Sequence, residues 1–592
     1  MNDERSVSSL EIRPLHVARE QYDVVIMGGG LAGLTLAIQL KRRRPDTSIA
    51  VLEKREGPAP LAAFKVGEST VPSGAHYFEK VVGMEDHLKK DQLIKIGLRF
   101  FLTAGDNEDI TLRIEQGAAG YPPHDNWQID RGVFENELAS RARALGVDVL
   151  GGCRVQDVDL DADPHVVSFT QMEANVTTKG RWVVDASGRA SLLKRKLGLS
   201  KDVAHTINAA WIRLSGGLDI EDWGRDNEAW MGKMSEPGLR ALSTNHLMGE
   251  GYWVWMIPLS SGPISIGICA DPRIHPFEEI SEPDRMVAWL KRHEPQLGDA
   301  VEPRVGQIVD FLRVQDFAYG VQQVYSHDRW TLVGEAAAFA DPFYSPGSDF
   351  IGVGNTFTTD LICADLDGED VSERVDYYSD WYFRTFEKVI SRYTDQYLLF
   401  GNAWVAQHKL IWDTYLNHTG NVTLFVKNRY GNYEFMKSVQ EDVDRLYRLD
   451  MNMQELWKQW HELQPPDPDE DIPEEAPLAK LIRPMMFGAF ADLVRELDDD
   501  ALREEISQQV PRSEALAVVI FGQAAEALDE RPDFERPINP YAVSLRPERW
   551  DADGLYAEPG MTLKDATELV ESFADAIAAG ASGQAEDPFF LA

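Results

Sequence analysis

The chain has 592 residues, of which 44% are hydrophobic, and its 59 basic and 97 acidic side chains give a formal net charge of −38. This length allows more than one domain and a large buried core, and the composition is that of a globular protein and not of a disordered one. Because such an acidic surface repels phosphate backbones and anionic lipids, we expect no nucleic acid and no membrane as a partner.

The cysteines and the N-terminal residues indicate the cellular compartment of the protein. The only cysteines are Cys153, Cys269 and Cys363, which are widely spaced and odd in number. This pattern argues against a disulfide framework and against a cysteine-based metal site, and we predict no metal. The N-terminus lacks the apolar core of a signal peptide, and no apolar run approaches the length of a membrane span. We therefore predict a cytoplasmic protein.

The first predicted elements form a βαβ unit after an exposed arm at residues 1–20. An apolar run at 22–27 is followed by glycines and then by a helical pattern that places Leu31, Leu34 and Ile38 on one stripe. The next apolar run, at 48–52, ends at Glu53. This order of strand, helix and strand is the context that a nucleotide-binding glycine loop requires.

The glycine loop itself is residues 28–33, GGGLAG, with the spacing G-x-G-x-x-G. Gly28 permits a tight turn, Gly30 lets the backbone approach a diphosphate, and Gly33 allows close helix–strand packing. The helix N-terminus favours negative charge, and Glu53 is placed to accept hydrogen bonds from a ribose. A glycine turn without a ligand is the alternative, and the context disfavours it. The loop alone does not distinguish NAD from FAD.

Further along the chain, strands and helices alternate before a helical region. We predict a helix at 133–144, strands at 147–150, 182–185 and 331–334, and alternating strands and turns at 205–320 with a hairpin through 260–263. From about residue 370 the pattern is helical. Aromatic residues recur there at helical spacing, Tyr393 and Tyr397 among them, and we assign most of them to core packing. Prolines and acids at 464–477 predict a surface linker.

Two short segments are more specific than the glycine loop. Residues 64–70 read FKVGEST and contain Lys65, and residues 253–258 read WVWMIP and end at Pro258. On a β-strand the second segment places Trp253, Trp255 and Ile257 on one face.

With the glycine loop, these segments resemble the flavin-dependent halogenases, which have an aromatic-hydroxylase type of FAD fold. The resemblance covers residues 20–365 and implies an α/β fold: a Rossmann-like FAD-binding module with an inserted β-rich substrate part at about 205–320. The remainder, residues 366–592, is expected to be a mainly helical C-terminal region that matches no motif.

The resemblance also implies which residues hold FAD. Residues 185–189, DASGR, and 334–338, GEAAA, look like the second and third fingerprints of this flavoprotein type, so Asp185, Gly188, Gly334 and Glu335 become candidate FAD contacts. Glu335 stands where the family usually has aspartate. Residues 128–131, QIDR, resemble the segment that places an arginine, here Arg131, near the flavin. The alternative for that segment is a helix start that is capped by Asp130, and both can hold.

Lys65 matches the lysine that carries or activates the oxidised halogen in the family. An amine suits that role because it donates a hydrogen bond to hypohalous acid, or forms a haloamine if burial lowers its pKa. The alternative is an exposed lysine paired with Glu68. The Trp253 and Trp255 rings are expected to separate flavin from substrate and so disfavour direct oxygen transfer, the alternative being an aromatic layer in the core.

The expected halide loop departs from the family pattern. Residues 341–347, DPFYSPG, align with the loop in which backbone N–H groups hold halide, so Ser345 and Gly347 are candidate halide contacts. Pro346 has no N–H, and Asp349 adds a nearby negative charge. Weak halide binding, a preference for bromide or iodide over chloride, and no halide binding all remain open.

The resulting hypothesis is an FAD-dependent halogenase that acts on an electron-rich aromatic substrate, free or tethered to a carrier protein. It would use FADH2, O2 and halide, with a separate flavin reductase as partner, because no second nucleotide-binding motif is evident. The alternatives are a flavin monooxygenase that hydroxylates an aromatic substrate and a non-catalytic flavin-binding protein.

Overall fold

The structure is a computed structural model, and it describes residues 19–61, 67–466, 482, 485, 486, 488–490 and 493–581. The predicted arm at 1–20 and the linker at 464–477 lie almost entirely outside these residues, as does Lys65.

The strands alternate with helices in the first half of the chain. They are β1 (Gln21–Met27), β2 (Ile49–Leu52), β3 (Leu93–Ile94), β4 (Leu98–Phe101), β5 (Glu115–Gln116), β6 (Trp127–Gln128), β7 (Asp148–Leu150), β8 (Arg154–Asp159), β9 (His165–Gln171), β10 (Ala174–Asp185), β11 (Ser200–Lys201), β12 (Asn208–Leu214), β13 (Thr244–Gly249), β14 (Tyr252–Pro258), β15 (Ile264–Ala270), β16 (Ile308–Val314), β17 (Gly320–Val321) and β18 (Trp330–Leu332).

The helices become long after residue 346. They are α1 (Leu31–Arg43), α2 (Pro72–His76), α3 (Glu85–Asp91), α4 (Arg131–Ala144), α5 (Leu192–Lys196), α6 (Glu228–Met231), α7 (Pro283–His293), α8 (Pro295–Val301), α9 (Gly347–Leu366), α10 (Ser372–Ser391), α11 (Ala403–Asn417), α12 (Thr423–Val426), α13 (Tyr433–Ser438), α14 (Gln440–Leu463), α15 (Asp499–Ala527), α16 (Trp550–Asp553) and α17 (Leu563–Ala581).

The first sheet carries the nucleotide-binding elements. Its strand order is β7-β2-β1-β10-β9-β8, and β18 also pairs with β10. Strands β7, β2, β1, β10 and β18 are parallel, whereas β8 and β9 form an antiparallel extension. Because β1, β10 and β18 run parallel, the loops that follow them leave the sheet at the same edge. The predicted βαβ unit is confirmed as β1, α1 and β2.

The second sheet is mainly antiparallel, with the order β16-β12-β15-β14-β13-β4-β5. All residues of β14 except Pro258 are buried. Trp253, Trp255 and Ile257 pack into the large core that continues into the first sheet and the C-terminal helices. The intervening Tyr252, Val254 and Met256 pack into a separate core on the other face. The predicted sharing of one face by the two tryptophans is confirmed.

Helices α7 and α8 correct the prediction for residues 205–320. That stretch was expected to contain strands and turns, yet both helices lie between β15 and β16. The four buried side chains of α7 follow helical and not alternating spacing, and they close the second core. They are Met286, Val287, Trp289 and Leu290. The hairpin through 260–263 is confirmed by the pairing of β14 with β15.

The C-terminal region is helical, as predicted, and packs onto the first half of the chain. Helices α9, α10, α11 and α14 contribute to the large core together with the Trp253 face of β14. Cys153, Cys269 and Cys363 are all buried and unpaired with one another. Within the residues that the structure describes, none of the helices is long and apolar enough to cross a bilayer, and no cluster of side chains suited to a metal ion occurs.

Candidate functional site

The glycine loop between β1 and α1 is shaped by contacts that only glycine permits. Gly28 has a φ of +118°, and a Cβ on it would lie 2.3 Å from the Ala186 carbonyl oxygen. A Cβ on Gly33 would lie 2.1 Å from the Gly28 carbonyl oxygen. The loop is thereby held against the turn that follows β10. Gly30 is the N-cap residue of α1, and among the described residues no side chain caps this helix end, so the first N–H groups of the helix are available to an anion.

Glu53 secures the same loop from the end of β2. Its Oε2 accepts a hydrogen bond from the Gly29 N–H at 2.8 Å, and its Oε1 accepts one from the Arg55 N–H at 2.9 Å. A carboxylate has about four lone-pair positions, so Glu53 keeps capacity for a ribose hydroxyl while it orders the loop.

Arg131 is joined to Glu53 through two further charged side chains. Its guanidinium donates to Glu135 at 2.7 Å, Glu135 lies 3.7 Å from Arg55, and Arg55 contacts Glu53. Arg131 also donates to the Gly67 carbonyl at 3.4 Å. The Arg131 side chain therefore contacts Gly67, which is the first described residue after Lys65.

The helix-start interpretation of residues 128–131 is confirmed. Asp130 is the N-cap of α4 and accepts a hydrogen bond from the Val133 N–H. The contact of Arg131 with a flavin stays a prediction.

The second and third fingerprint segments meet the glycine loop from β10 and β18. Asp185 is fully buried, and its two oxygens accept hydrogen bonds from the N–H groups of Ser187 and Leu193 at 3.0 and 2.7 Å. Burial raises the pKa of Asp185. This carboxyl group orders the turn that contains Gly188, where a Cβ would meet no atom within 4 Å.

In the third segment, Gly334 packs against the first turn of α1, because a Cβ on it would lie 3.0 Å from the Ala32 Cβ. Glu335 is partly exposed, and its carbonyl accepts a hydrogen bond from the Tyr319 hydroxyl at 2.7 Å. The three segments thus converge on the uncapped start of α1. Glycine backbone, helix N–H groups and the Glu53 carboxylate fit the diphosphate and ribose of FAD.

The loop at residues 341–347 is anchored by a buried carboxylate. Asp341 accepts hydrogen bonds from the Tyr397 hydroxyl at 2.7 Å and from the Phe343 N–H at 2.9 Å, and it lies 2.8 Å from His205 Nε2. The Tyr344 hydroxyl donates to Asp413 of α11 at 2.8 Å. The loop is therefore fixed to the C-terminal helices on one side and to the chain before β12 on the other.

The end of this loop is the start of α9. Ser345 adopts a left-handed conformation with φ of +56°, Pro346 is the N-cap residue, and Gly347 is the first helical residue. The Ser345 N–H is already bonded to the Pro342 carbonyl. The main-chain N–H groups of Gly347 and Ser348 belong to the first helical turn and have no intrahelical acceptor. Pro346 removes one donor from the loop but leaves these two.

The tryptophan strand contacts the anchored loop directly. The indole N–H of Trp253 donates to the Tyr397 hydroxyl at 2.8 Å, and that hydroxyl donates to Asp341. The Trp253 ring packs edge-on against Phe343, with centroids 5.2 Å apart, and lies 5.6 Å from the Trp255 ring. Burial of both tryptophans confirms that they form an aromatic layer in the core. Their role as a barrier between flavin and substrate stays a prediction.

The segment that follows Lys65 approaches the same loop. Lys65 lies within residues 62–66, outside the described residues. Ser69 Oγ lies 3.2 Å from Ser345 Oγ, so the two segments that were predicted to handle oxidant and halide meet at this contact.

Glu68 is buried and does not lie on the surface, whereas its pairing with Lys65 falls outside the described residues and stays a prediction. Its carboxylate accepts a hydrogen bond from Arg213 at 2.9 Å, and Arg213 also bonds Asp310. Burial raises the pKa of Glu68, and the Arg213 charge opposes that shift.

Sequence reasoning missed three polar residues that the fold brings to this site. Lys95 is 1% exposed and donates to Ser69 and to the Thr70 carbonyl; its only sequence signal is a lysine inside the apolar stretch LIKIGL. His205 and Asp413 carry no local signal, because their partners lie far away in the chain. Tyr397, which was assigned to core packing with its neighbours, also holds the loop.

Comparisons with known proteins agree with this arrangement. A family model described as an NAD(P)-binding Rossmann-like domain matches residues 26–110, and one described as tryptophan halogenase matches residues 122–393. The flavin-dependent halogenase chlA of Dictyostelium discoideum is 28% identical over 438 residues, which cover 68% of this chain and 67% of the relative.

Two further relatives are carrier-protein enzymes by name. A 1H-pyrrole-2-carbonyl-[peptidyl-carrier protein] chlorinase of Pseudomonas fluorescens is 28% identical over 55% of this chain and 72% of its own length. The corresponding brominase of Pseudoalteromonas luteoviolacea is 26% identical over 61% of this chain and 82% of its own length.

Solved structures show the same fold. The crystal structure of halogenase PltM in complex with ethyl mercury and mercury superposes with a TM-score of 0.56 at 16% identity, over 86% of this chain and 96% of that one. Together these matches support the flavin-dependent halogenase family for this chain and indicate an FAD-dependent oxidoreductase-type enzyme.

Proposed function

We propose that this enzyme transfers an oxidised halogen to an electron-rich aromatic ring of the indole, phenol or pyrrole type. Reduced FAD, when bound, supplies the two electrons with which O2 and a proton convert halide into hypohalous acid and water. The hypohalous acid then replaces a ring hydrogen with halogen and leaves as water. The protein's own side chains hold and orient the reactants and exclude water.

The observation that carries the proposal is the contact between Ser69 and Ser345. It joins the segment of the expected catalytic lysine to the loop that begins α9. Helix α9, which follows Ser345, also reaches the convergence of the three FAD fingerprint segments, since Gly334 lies against both Ala32 of α1 and Ile351 of α9. Halide oxidation and halogen transfer therefore have neighbouring positions within one fold.

In this proposal Lys65 holds hypohalous acid beside the substrate ring. An ammonium group donates a hydrogen bond to its oxygen, which makes the halogen more electrophilic. The adjoining Gly67 lies under Arg131 and Glu68 is locked to Arg213. Glu68 is buried and Gly67 is exposed, so the segment that follows Lys65 passes from the surface into the fold.

The aromatic layer supports transfer of halogen over direct transfer of oxygen. Trp253 and Trp255 are almost completely buried, and the Trp253 indole is fixed by its hydrogen bond to Tyr397. The edge-on contact of the Trp253 ring with Phe343 leaves no room for a substrate between that ring and the loop at 341–347.

Hydroxylation of an aromatic substrate is the second candidate, and Pro346 favours it. The residue removes one backbone donor from the expected halide loop. The Gly347 and Ser348 N–H groups at the start of α9 oppose this reading, because they supply two donors at the same place.

Two relatives act on a pyrrole that is tethered to a peptidyl carrier protein. We extend this to a substrate that is presented either free or on a carrier, with a separate flavin reductase as the source of reduced FAD.

Product mass separates these functions. The FAD-loaded enzyme is supplied with reduced FAD, O2 and chloride, bromide or iodide in turn, with a panel of free and carrier-tethered indoles, phenols and pyrroles. We expect a product heavier by one halogen that appears only with halide. A product that gains oxygen without any need for halide would establish the hydroxylase, and an unchanged panel would leave only flavin binding.

A further inference from the structure

Lys95 is a buried positive charge that the proposed reaction has not yet used. Its ammonium group donates hydrogen bonds to Ser69 Oγ at 2.6 Å and to the Thr70 carbonyl at 2.5 Å. Lys95 is 1% exposed. Burying an ammonium group costs free energy unless it is well paired, and two neutral oxygens are weak compensation. The negative charge that acts on Lys95 within the fold is that of Asp349, which raises the pKa of the lysine.

Lys95 is connected to the loop at the start of α9 through Ser69. Ser69 Oγ accepts from Lys95 and from the Ser345 hydroxyl at 3.2 Å, and it lies 2.8 Å from Thr244 Oγ1. Thr244 in turn donates to the Gln128 side-chain oxygen at 3.1 Å. The hydrogen bonds thus run from the ammonium group through Ser69 and Thr244 to Gln128, and the Ser345 hydroxyl donates into this chain at Ser69.

Two buried donor groups have unused hydrogen-bonding capacity: one belongs to Gln128, at the end of the chain of hydrogen bonds from Lys95, and the other to Ser348, which lies against Gly74 of α2. The side-chain nitrogen of Gln128, whose residue is 0% exposed, has no hydrogen-bond partner in the part of the chain that the structure describes. The same holds for the hydroxyl of Ser348 in the first turn of α9. Unpaired buried donors beside a buried ammonium group and an open helix start are the complement of a small anion.

We propose that Lys95 is the positioning residue of the halide site, and that its charge, acting through Ser69, offsets the backbone donor that Pro346 removes. The anion lies at the first turn of α9, where the Gly347 and Ser348 N–H groups face it. Lys95 binds no halide directly; it orients Ser69 and supplies the positive field. This inference rests on the proposed halogenase function and adds the residue that makes its halide loop workable.

The negative charge of ionised Asp349 is the main factor that opposes the binding of an anion at the first turn of α9. Its Oδ1 is buried and has no hydrogen-bond partner among the described residues. Burial raises the pKa of Asp349 to about 7, while the Gly74 N–H and the Lys95 charge lower it. Burial lowers the pKa of Lys95 to about 7, and the Asp349 charge opposes that shift. Each charge stabilises the other, and the cluster becomes more positive, as an anion requires, when pH falls below about 7 and Asp349 takes up a proton.

The test compares Lys95→Met with wild type in the FAD-loaded enzyme. Chloride and bromide are titrated at constant ionic strength with sodium gluconate as the balancing salt, and binding is followed by broadening of the chloride NMR signal and its reversal by bromide. We expect the halide Kd of Lys95→Met to rise at least about tenfold, which corresponds to about 1.4 kcal/mol, while FAD affinity stays unchanged. In turnover, KM for bromide rises and kcat at saturating bromide changes less.

Three further variants separate a charge effect from a packing effect. Lys95→Arg retains the charge and is expected to recover part of the halide affinity. Ser69→Ala keeps Lys95 but removes the connecting hydroxyl, and its Kd should rise severalfold even if Lys95→Met does not fold. Lys388→Met is the matched control, because Lys388 is also 1% exposed but faces the Tyr447 ring and Asp450.

A halide Kd within twofold of wild type in Lys95→Met, or an equal rise in Lys388→Met, would overturn the inference. If wild type broadens no chloride signal, the anion site itself is excluded. The proposed function fails separately, through the absence of halogenated product, so the two failures are distinguishable.

Discussion

The two sides of the loop at 341–347 are built by opposite means. On the nucleotide side, backbone meets backbone: Gly28 and Gly33 allow contacts at distances that any side chain would block. On the aromatic side, buried side chains reach across the fold, with Trp253 bonded to Tyr397 and Tyr397 to Asp341. Where two backbone segments touch, any added atom blocks the contact. In a chain of hydrogen-bonded side chains, one bond can be removed while the others remain.

The largest effect is expected on the nucleotide side. Gly33→Val places a Cβ 2.1 Å from the Gly28 carbonyl, so the loop must move and FAD binding should be lost. Flavin absorbance of the purified protein measures this. Gly306→Ala is the control, because a Cβ there meets no atom within 4 Å, and it should retain the flavin of wild type. A flavin-replete Gly33→Val protein would contradict this account of the loop.

On the aromatic side we expect a smaller and coupled loss. Trp253→Phe and Tyr397→Phe each remove one link of the chain to Asp341 and leave a buried polar group without its partner, at a cost of about 1–3 kcal/mol. Denaturant unfolding of both single variants and the double variant should give a coupling free energy of about 1 kcal/mol. FAD binding should persist in all three.

Tyr378→Phe provides the matched control for this cycle. Its hydroxyl donates to Asp360, away from the loop at 341–347, so it should lower stability without lowering halogenation. Strictly additive losses for Trp253→Phe and Tyr397→Phe would show that the chain does not act as a unit.

The affinity for halide should depend on pH, because the proposed halide site lies where the nucleotide side and the aromatic side of the loop at 341–347 meet. Lys95 loses its proton and Asp349 loses its own as pH rises through about 7, and both changes add negative charge. His246, which also interacts with Lys95, has its pKa lowered to about 3 by burial and stays neutral. The bromide Kd should therefore rise between about pH 6 and about pH 8. An affinity that strengthens with pH would refute the assignment.

The smallest effect concerns Glu335. Its side chain is partly exposed and its carbonyl, not its carboxylate, is bonded to Tyr319. Glu335→Asp restores the residue usual in the family and should change FAD affinity by less than about threefold, or about 0.6 kcal/mol. Fluorescence titration with FAD measures it, and a change above tenfold would show that the length of this side chain is critical.

The contrast between the two sides also explains what the sequence could predict. The glycine loop, the βαβ unit and the shared face of Trp253 and Trp255 depend on spacing within a few residues, and all were predicted. The partners of Trp253 and His205 lie 144 and 136 residues away, so no local pattern revealed them. In the sequence, Lys95 only interrupts an apolar stretch. Its contact with Ser69, which in turn contacts Ser345, depends on the fold. Helices α7 and α8 were missed because they are short, at 11 and 7 residues, and lie between two strands of one sheet.

Transfer of the halogen by Lys65 is the claim on which the account depends. The direct measurement is the mass of the product formed by Lys65→Ala and by wild type at equal FAD content, with bromide, O2 and an aromatic substrate that wild type halogenates. We predict that the variant binds FAD normally and forms at least roughly a hundredfold less brominated product, since a positioned proton donor is worth about that much. Equal bromination by the two proteins would contradict the account.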